Sequence, residues 1–151
     1  MRILFVCTGN TCRSPLAEAI ARRMLSDAGR TDIEVASAGV QAWNGSPASD
    51  EALLIGLERN LDLSAHRSRP LTQDILAESD LVLTMSATHL AHVMQMRPGA
   101  NVHLVAGFAN ETRARRDIQD PFSGDLADYR ETADDLECEL SGLPDKIPHE
   151  P

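Results

Sequence analysis

Val6-Cys7-Thr8-Gly9-Asn10-Thr11-Cys12-Arg13-Ser14-Pro15 is the stretch whose reading decides the fold. The apolar run Ile3-Leu4-Phe5-Val6 stands before it, and a helical pattern follows. A strand, a short loop and a helix are therefore predicted in that order, with Arg2 to Val6 as a buried strand. Cys7 and Arg13 frame the loop. The backbone N–H groups of such a loop can converge on one point, and the next helix turns its positive end toward the same place. This makes a trap for an anion, with a thiol at its base. A thiol so placed is expected to be pushed toward thiolate, its reactive form.

Working outward, Ser14 is the expected helix cap and Pro15 the expected first helical residue. Leu16, Ile20 and Met24 recur at four-residue spacing, with Ala17, Ala21 and Leu25 beside them, and Gly29 ends the run. Ile33-Glu34-Val35 opens a second strand that stops near Gly39. Ala48 to Arg59 reads as a helix with Leu53, Leu54 and Leu57 on one side. Thr72 to Ala77 is a short helix, Leu81-Val82-Leu83 a third strand and Ser86 to Met96 another helix. Val102-His103-Leu104 is a weaker fourth strand. A polar, arginine-rich loop then leads to an amphipathic helix carrying Leu126, Tyr129, Ala133, Leu136 and Leu140. Strands alternating with helices imply an α/β, three-layer fold: a four-stranded parallel sheet with helices on both faces. A single domain is expected over residues 1–142. The tail over 143–151, with Pro144, Pro148 and Pro151, is expected to fray. In such sheets ligands bind beyond the carboxyl ends of the strands, which is where the Cys7 loop lies.

The composition narrows the functions. The 151 residues suffice for one domain with a real core. The net charge of −9 argues against a nucleic-acid partner, which needs a basic face, and against an anionic membrane surface. Lys146 is the only lysine, which reads as composition bias. No signal peptide and no membrane span is seen, so a cytoplasmic protein is expected. The three cysteines, Cys7, Cys12 and Cys138, suggest chemistry in a reducing compartment more than a disulfide scaffold. Cys138 is expected to be structural. A nucleotide-binding phosphate loop is excluded, since no Gly-Lys-Ser or Gly-Lys-Thr occurs.

The loop residues each suit a phosphoryl group. Cys7 can attack phosphorus, and Arg13 offers a planar fork for two oxygens. Gly9 permits close backbone approach, Asn10 tolerates a left-handed backbone, and Ser14 can donate to the Cys7 sulfur. Downstream, Asp117, Asp120 and Asp125 are all possible proton donors. Position before Pro121 and beside Phe122 favours Asp120.

The run from Val6 to Ala17 resembles the signature of the low-molecular-weight protein phosphatases. The likeness extends over nearly the whole chain: Ser37-Ala38-Gly39, then His66 with Ser68 and Arg69, then Ser79-Asp80-Leu81-Val82-Leu83 with Met85, then Asp120-Pro121-Phe122. The resemblance implies the phosphotyrosine protein phosphatase I-like fold, no metal and no cofactor. It implies a loop of Thr8, Gly9, Asn10, Thr11, Cys12, Arg13 and Ser14 that binds phosphate. It implies Cys7, Arg13 and Asp120 as the catalytic set, working through a phosphocysteine. It implies that Cys12 can form a reversible disulfide with Cys7. His66 is read as a brace for Asn10, or as a plain core or surface histidine.

The substrate turns on Thr11. Tyrosine phosphatases of the family carry a bulky aliphatic residue there, and members resembling protein arginine phosphatases carry threonine. A smaller, polar wall admits a guanidinium, whereas a large apolar one packs on a phenol ring. Phosphoarginine is therefore the expected substrate and phosphotyrosine the alternative. Phe122 and Trp43 are further candidates for the substrate cleft, Trp43 either as a wall or as a lone side chain on a loop. Arg113, Arg115 and Arg116 either touch substrate or form a solvated run. The expected partners are phosphorylated proteins, with inorganic phosphate as product, and the chain is expected as a monomer or weak dimer. Three rivals remain: an arsenate reductase, disfavoured because no cysteine lies between Cys12 and Cys138, a non-enzymatic phosphoryl-binding module, and a phosphotransferase component with a phosphocysteine, disfavoured because Arg13 and Asp120 suit hydrolysis better.

Overall fold

Ile3, Leu4, Phe5 and Val6 are fully buried, so the strand they form must be covered on both faces. In the computed structural model, which describes residues 1–149, they lie in β1 (Arg2–Cys7). β1 runs parallel to β2 (Glu34–Gly39) on one side and to β3 (Leu81–Thr84) on the other. β3 pairs in parallel with β4 (Val102–Leu104), giving a four-stranded sheet in the order β2-β1-β3-β4. The helices are α1 (Arg13–Asp27), α2 (Asp50–Glu58), α3 (Gln73–Glu78), α4 (Ala87–Met96), α5 (Leu126–Leu140) and α6 (Leu143–Lys146).

Side chains of a strand point alternately to opposite faces. Ile3, Phe5 and Cys7 therefore share one core with Leu16 and Ile20 of α1, Ile55 of α2, Leu136 of α5 and Leu143 of α6. Leu4 and Val6 enter a second core with Leu76 of α3 and Val93 of α4. The result is the three-layer α/β sandwich expected, with every strand parallel. β2 and β3 flank β1 on opposite sides, so the chain diverges at the carboxyl end of β1. The crevice there is where the Cys7 loop sits.

Several local expectations are corrected. α1 starts at Arg13, with Cys12 at the cap position and no side-chain cap bond. Ser14 is inside the helix because its hydroxyl is turned to the Cys7 sulfur instead. Pro15 is then the third helical residue, still within the turn whose N–H groups have no partner in the helix. In α2, Leu54 and Leu57 are exposed, and the buried residues are Ala52, Ile55 and Gly56. The contact is too close for leucines. A Cβ on Gly56 would lie 2.6 Å from Leu63 Cδ1 and 3.0 Å from the Leu61 carbonyl.

Cys138 is exposed and unpaired, so it does not fill a structural place. The tail does not fray at 143 either. Leu143 and Ile147 are buried, and the buried Arg30 guanidinium donates to the carbonyls of Pro144 (2.6 Å), Ile147 (2.7 Å) and Pro148 (3.1 Å). The prolines suggested a loose end, but this arginine gives the tail's carbonyls donors. Residues 150 and 151 of that expected tail lie outside the described residues.

Candidate active site

The loop between β1 and α1 is held from behind by close packing against β2. Gly39 pairs with Cys7 in register. A Cβ there would meet the Thr8 carbonyl at 2.4 Å and the Asn10 nitrogen at 3.0 Å, so only glycine lets the loop sit this close. Asn10 takes a left-handed backbone (φ 57°) and is fully buried. Its Nδ2 donates to Ser14 Oγ (2.8 Å) and Ser37 Oγ (2.9 Å), and its Oδ1 accepts from the Arg69 N–H (3.0 Å). Its carbonyl lies 2.7 Å from His66 Nε2, which must therefore carry the proton and donate. Gly9 is less constrained: a Cβ there would touch Thr11 Oγ1 at an ordinary 3.7 Å.

Cys7 Sγ lies 2.8 Å from Ser14 Oγ and receives the Asn10 backbone N–H at 3.3 Å. Ser14 Oγ already accepts from Asn10, so its single proton is free for the sulfur. Burial pushes the Cys7 thiol up from its ordinary value. The Ser14 hydroxyl, the Arg13 charge and the Asn10 amide act in the opposite direction. The upward direction corrects the expectation of a thiol pushed toward thiolate: desolvation outweighs the donors.

Arg13 is buried, which a guanidinium tolerates only with partners. Its Nη1 donates to the Ile118 carbonyl (3.0 Å), and Nη2 lies 3.5 Å from Asp120 Oδ2. Ile118 is itself fixed by donating its N–H to the Met85 carbonyl (2.7 Å), beyond the end of β3. Cys7, Thr8, Gly9, Thr11, Cys12, Arg13, Asp120 and Phe122 line one cavity of about 210 Å³. The cavity thus has a thiol and a guanidinium at its base, and a carboxylate and an exposed aromatic ring at its mouth. It can hold a tetrahedral anion against the sulfur with a proton donor on the outer side.

The other carboxylates of the loop are engaged elsewhere. Asp117 accepts from the Ala87 N–H (2.9 Å) at the start of α4, and Asp125 caps α5 in a reciprocal pair with Asp128. Trp43 is 83% exposed and is not among the residues lining the cavity; among the described residues only its carbonyl is engaged, accepting from Ser68 Oγ (2.5 Å). Arg113 and Arg116 point away from the cavity to α5. Both reach Glu139, a buried carboxylate that also accepts from the Gly107 N–H, and Arg116 pairs with Asp135 as well. Cys12 Sγ lies 3.3 Å from the buried Tyr129 hydroxyl and 3.6 Å from Ser49 Oγ. Cys7 and Cys12 are both free thiols here.

Sequence reasoning missed His89. It is buried in the first turn of α4, with Nε2 2.8 Å from Thr8 Oγ1 and Nδ1 2.9 Å from Ser86 Oγ. A signal was present: β3 neighbours β1, so the residues just after β3 must lie beside the Cys7 loop. Ser37 enters the sequence reading only through the family likeness and Tyr129 only as a position on the last helix; neither is given a place at the site.

A thiol, an arginine and a carboxylate around an anion-sized cavity, at the switch point of a parallel sheet, fit the phosphatase class. The description "Low molecular weight phosphotyrosine protein phosphatase" matches residues 2–150, and the chain belongs to that family. It is 38% identical over 148 residues to a protein-arginine-phosphatase of Geobacillus stearothermophilus, covering 97% of this chain and 95% of the relative. It is 37% identical to the low molecular weight protein-tyrosine-phosphatase PtpB of Staphylococcus haemolyticus, covering 90% and 92%. Among solved structures it resembles a cysteine-to-serine mutant of the YwlE arginine phosphatase with a phosphorylated active-site serine. That match has a TM-score of 0.90 at 34% identity, over 97% of this chain and 95% of that one. The protein is a phosphoprotein phosphatase. No helix among the described residues is long and apolar enough to cross a membrane.

Proposed function

We propose that this phosphatase hydrolyses phosphoarginine in proteins through a phosphocysteine on Cys7. The observation that carries the choice of substrate is Thr11. It lines the cavity opposite no bulky aliphatic wall, with a hydroxyl that can face a guanidinium. The likeness to protein-arginine-phosphatases supports the same reading.

Cys7 gives up its proton to solvent, and the thiolate, held by Ser14 and the Arg13 charge, attacks phosphorus in line with the P–N bond. Loop amides and Arg13 hold the three equatorial oxygens, and Asp120 gives its proton to the departing guanidine nitrogen as the P–N bond breaks. Asp120, now a carboxylate, takes a proton from water. The water oxygen attacks phosphorus, the S–P bond breaks, and inorganic phosphate leaves with the Cys7 sulfur restored as thiolate. Ser14 steadies that leaving sulfur. The related serine mutant with a phosphorylated active site supports a phosphoenzyme at this position. The remaining loop members, Thr8, Gly9, Asn10 and Cys12, shape the oxyanion cradle. Phe122 forms its outer wall. His66 fixes the Asn10 turn.

Cys12 is read as the redox partner of Cys7, sparing it from over-oxidation. A reducing cytoplasm suits three unpaired cysteines. We infer a protein that acts as a monomer or weak dimer. The deciding experiment compares phosphoarginine and phosphotyrosine peptides with wild type and Thr11→Ile. The variant should lose phosphoarginine turnover and keep or gain aryl phosphate turnover. An unchanged preference removes Thr11 as the selector. Phosphotyrosine is the second reading, favoured by the tyrosine-phosphatase relative and by the aromatic ring of Phe122 at the cavity mouth.

A further inference from the structure

His89 touches the phosphate loop from outside it, and a count of hydrogens fixes which way its bonds run. Ser86 Oγ caps α4 and accepts the His89 backbone N–H at 3.3 Å. Its own proton has one acceptor within reach among the described residues, Nδ1 of His89 at 2.9 Å. Nδ1 accepts, which assigns the ring proton to Nε2. Nε2–H then donates to Thr8 Oγ1 at 2.8 Å. Thr8 Oγ1 makes no other hydrogen bond among the described residues, and Thr8 lines the cavity with Cys7 and Arg13. Its proton is left for whatever occupies that cavity.

We propose that the Thr8 hydroxyl donates a hydrogen bond to the transferring phosphoryl group, and that His89 is the positioning residue that reserves the Thr8 proton for it. The proposal rests on the reading of Cys7 and Arg13 as the phosphoryl site. Oriented donors run from the α4 backbone through Ser86, His89 and Thr8 to a phosphoryl oxygen. In the opposite tautomer Thr8 would give its proton to the ring and turn lone pairs toward an anion, which repel. The ring's surroundings keep it neutral. Burial and the Arg13 charge hold His89 down to about 4, with His92 acting in the same direction and Asp117 and Asp120 against it.

The test uses the full chain with Thr8→Val, His89→Leu, His89→Gln and the Thr8→Val/His89→Leu double variant. Readouts are kcat and KM on a phosphopeptide and inhibition by orthovanadate. Thr8→Val should lower kcat/KM by about ten- to hundredfold, the range for a hydrogen bond to a charged group, and weaken vanadate alike. His89→Leu should match it, and the double variant should be no worse than Thr8→Val alone. His89→Gln, which keeps an N–H near the place of Nε2, should recover most of the loss. Wild-type kcat/KM in Thr8→Val, losses that add in the double variant, or no recovery in a folded His89→Gln overturns the proposal. If His89→Leu does not fold, Thr8→Val and His89→Gln decide. Cys7→Ser separates the two layers. Inactive Cys7→Ser beside fully active Thr8→Val sinks this inference alone, whereas turnover persisting in Cys7→Ser sinks the reading beneath it.

Discussion

Ser14 Oγ stands 2.8 Å from Cys7 Sγ and, because Asn10 already donates to it, turns its one proton to the sulfur. Burial raises the Cys7 thiol, and the Ser14 hydroxyl is the strongest group opposing that rise. Ser14→Ala should therefore move the thiol further up and lower the thiolate fraction at a given pH. The rate of iodoacetamide inactivation against pH should shift toward higher pH, and kcat should fall by about tenfold or more. An unmoved alkylation profile would remove Ser14 from the ionisation of Cys7.

Asp120 and Asp117 stand three residues apart and face different partners, the Arg13 guanidinium and the Ala87 N–H. Asp120→Asn should lower kcat by about a hundredfold or more, the size of a lost general acid. Asp117→Ala removes the acceptor of the Ala87 N–H and should act on stability, by about 1 kcal/mol, more than on kcat. Steady-state kinetics with thermal unfolding separates the two. The reverse ranking would move the acid to Asp117.

His89 makes the fold sensitive to mild acid. Its value in the folded chain, about 4, lies below the ordinary 6.5. Between the two, the unfolded chain binds a proton that the folded chain refuses. The contribution of His89 is thus complete above pH 6.5 and is lost as pH falls toward 4, by up to about 3 kcal/mol. Urea midpoints of wild type should fall over that window, and those of His89→Gln should fall less. Parallel profiles would mean that carboxylates, not His89, set the acid limb.

The architecture was legible because the strands are short apolar runs and the connections carry helical periodicity. The anion loop was legible because a cysteine and an arginine, with glycine and asparagine between, lie next to each other in sequence. What stayed hidden is what needs three dimensions. His89 reads as one more polar residue on α4 until β3 is placed beside β1. Gly56 and Ala52 look weaker than Leu54 and Leu57 as core positions until the tight return through Leu61 and Leu63 is seen. Three prolines suggested a loose end, and nothing local says that Arg30, more than a hundred residues earlier, binds it. The thiol's direction also failed to follow from the motif, since burial is a property of the whole packing.

Arg30→Met tests that last tether. The change removes the donor to three carbonyls and the partner of Asp32, and should cost about 2–4 kcal/mol. Amide exchange over residues 143–147 should accelerate well before global unfolding, while kcat per folded molecule stays at the wild-type level. Unchanged protection there would show that Leu143 and Ile147 hold the segment by apolar contact alone.

Arg13 is tied to the carbonyl of Ile118, more than a hundred residues down the chain. During synthesis Cys7 and Arg13 leave the ribosome together, yet the carbonyl that anchors the guanidinium follows more than a hundred residues later. A nascent chain halted before Ile118 presents a thiol without an anchored arginine or the Asp120 carboxylate. The anchored form of Arg13 therefore exists only in a chain whose synthesis has passed Ile118.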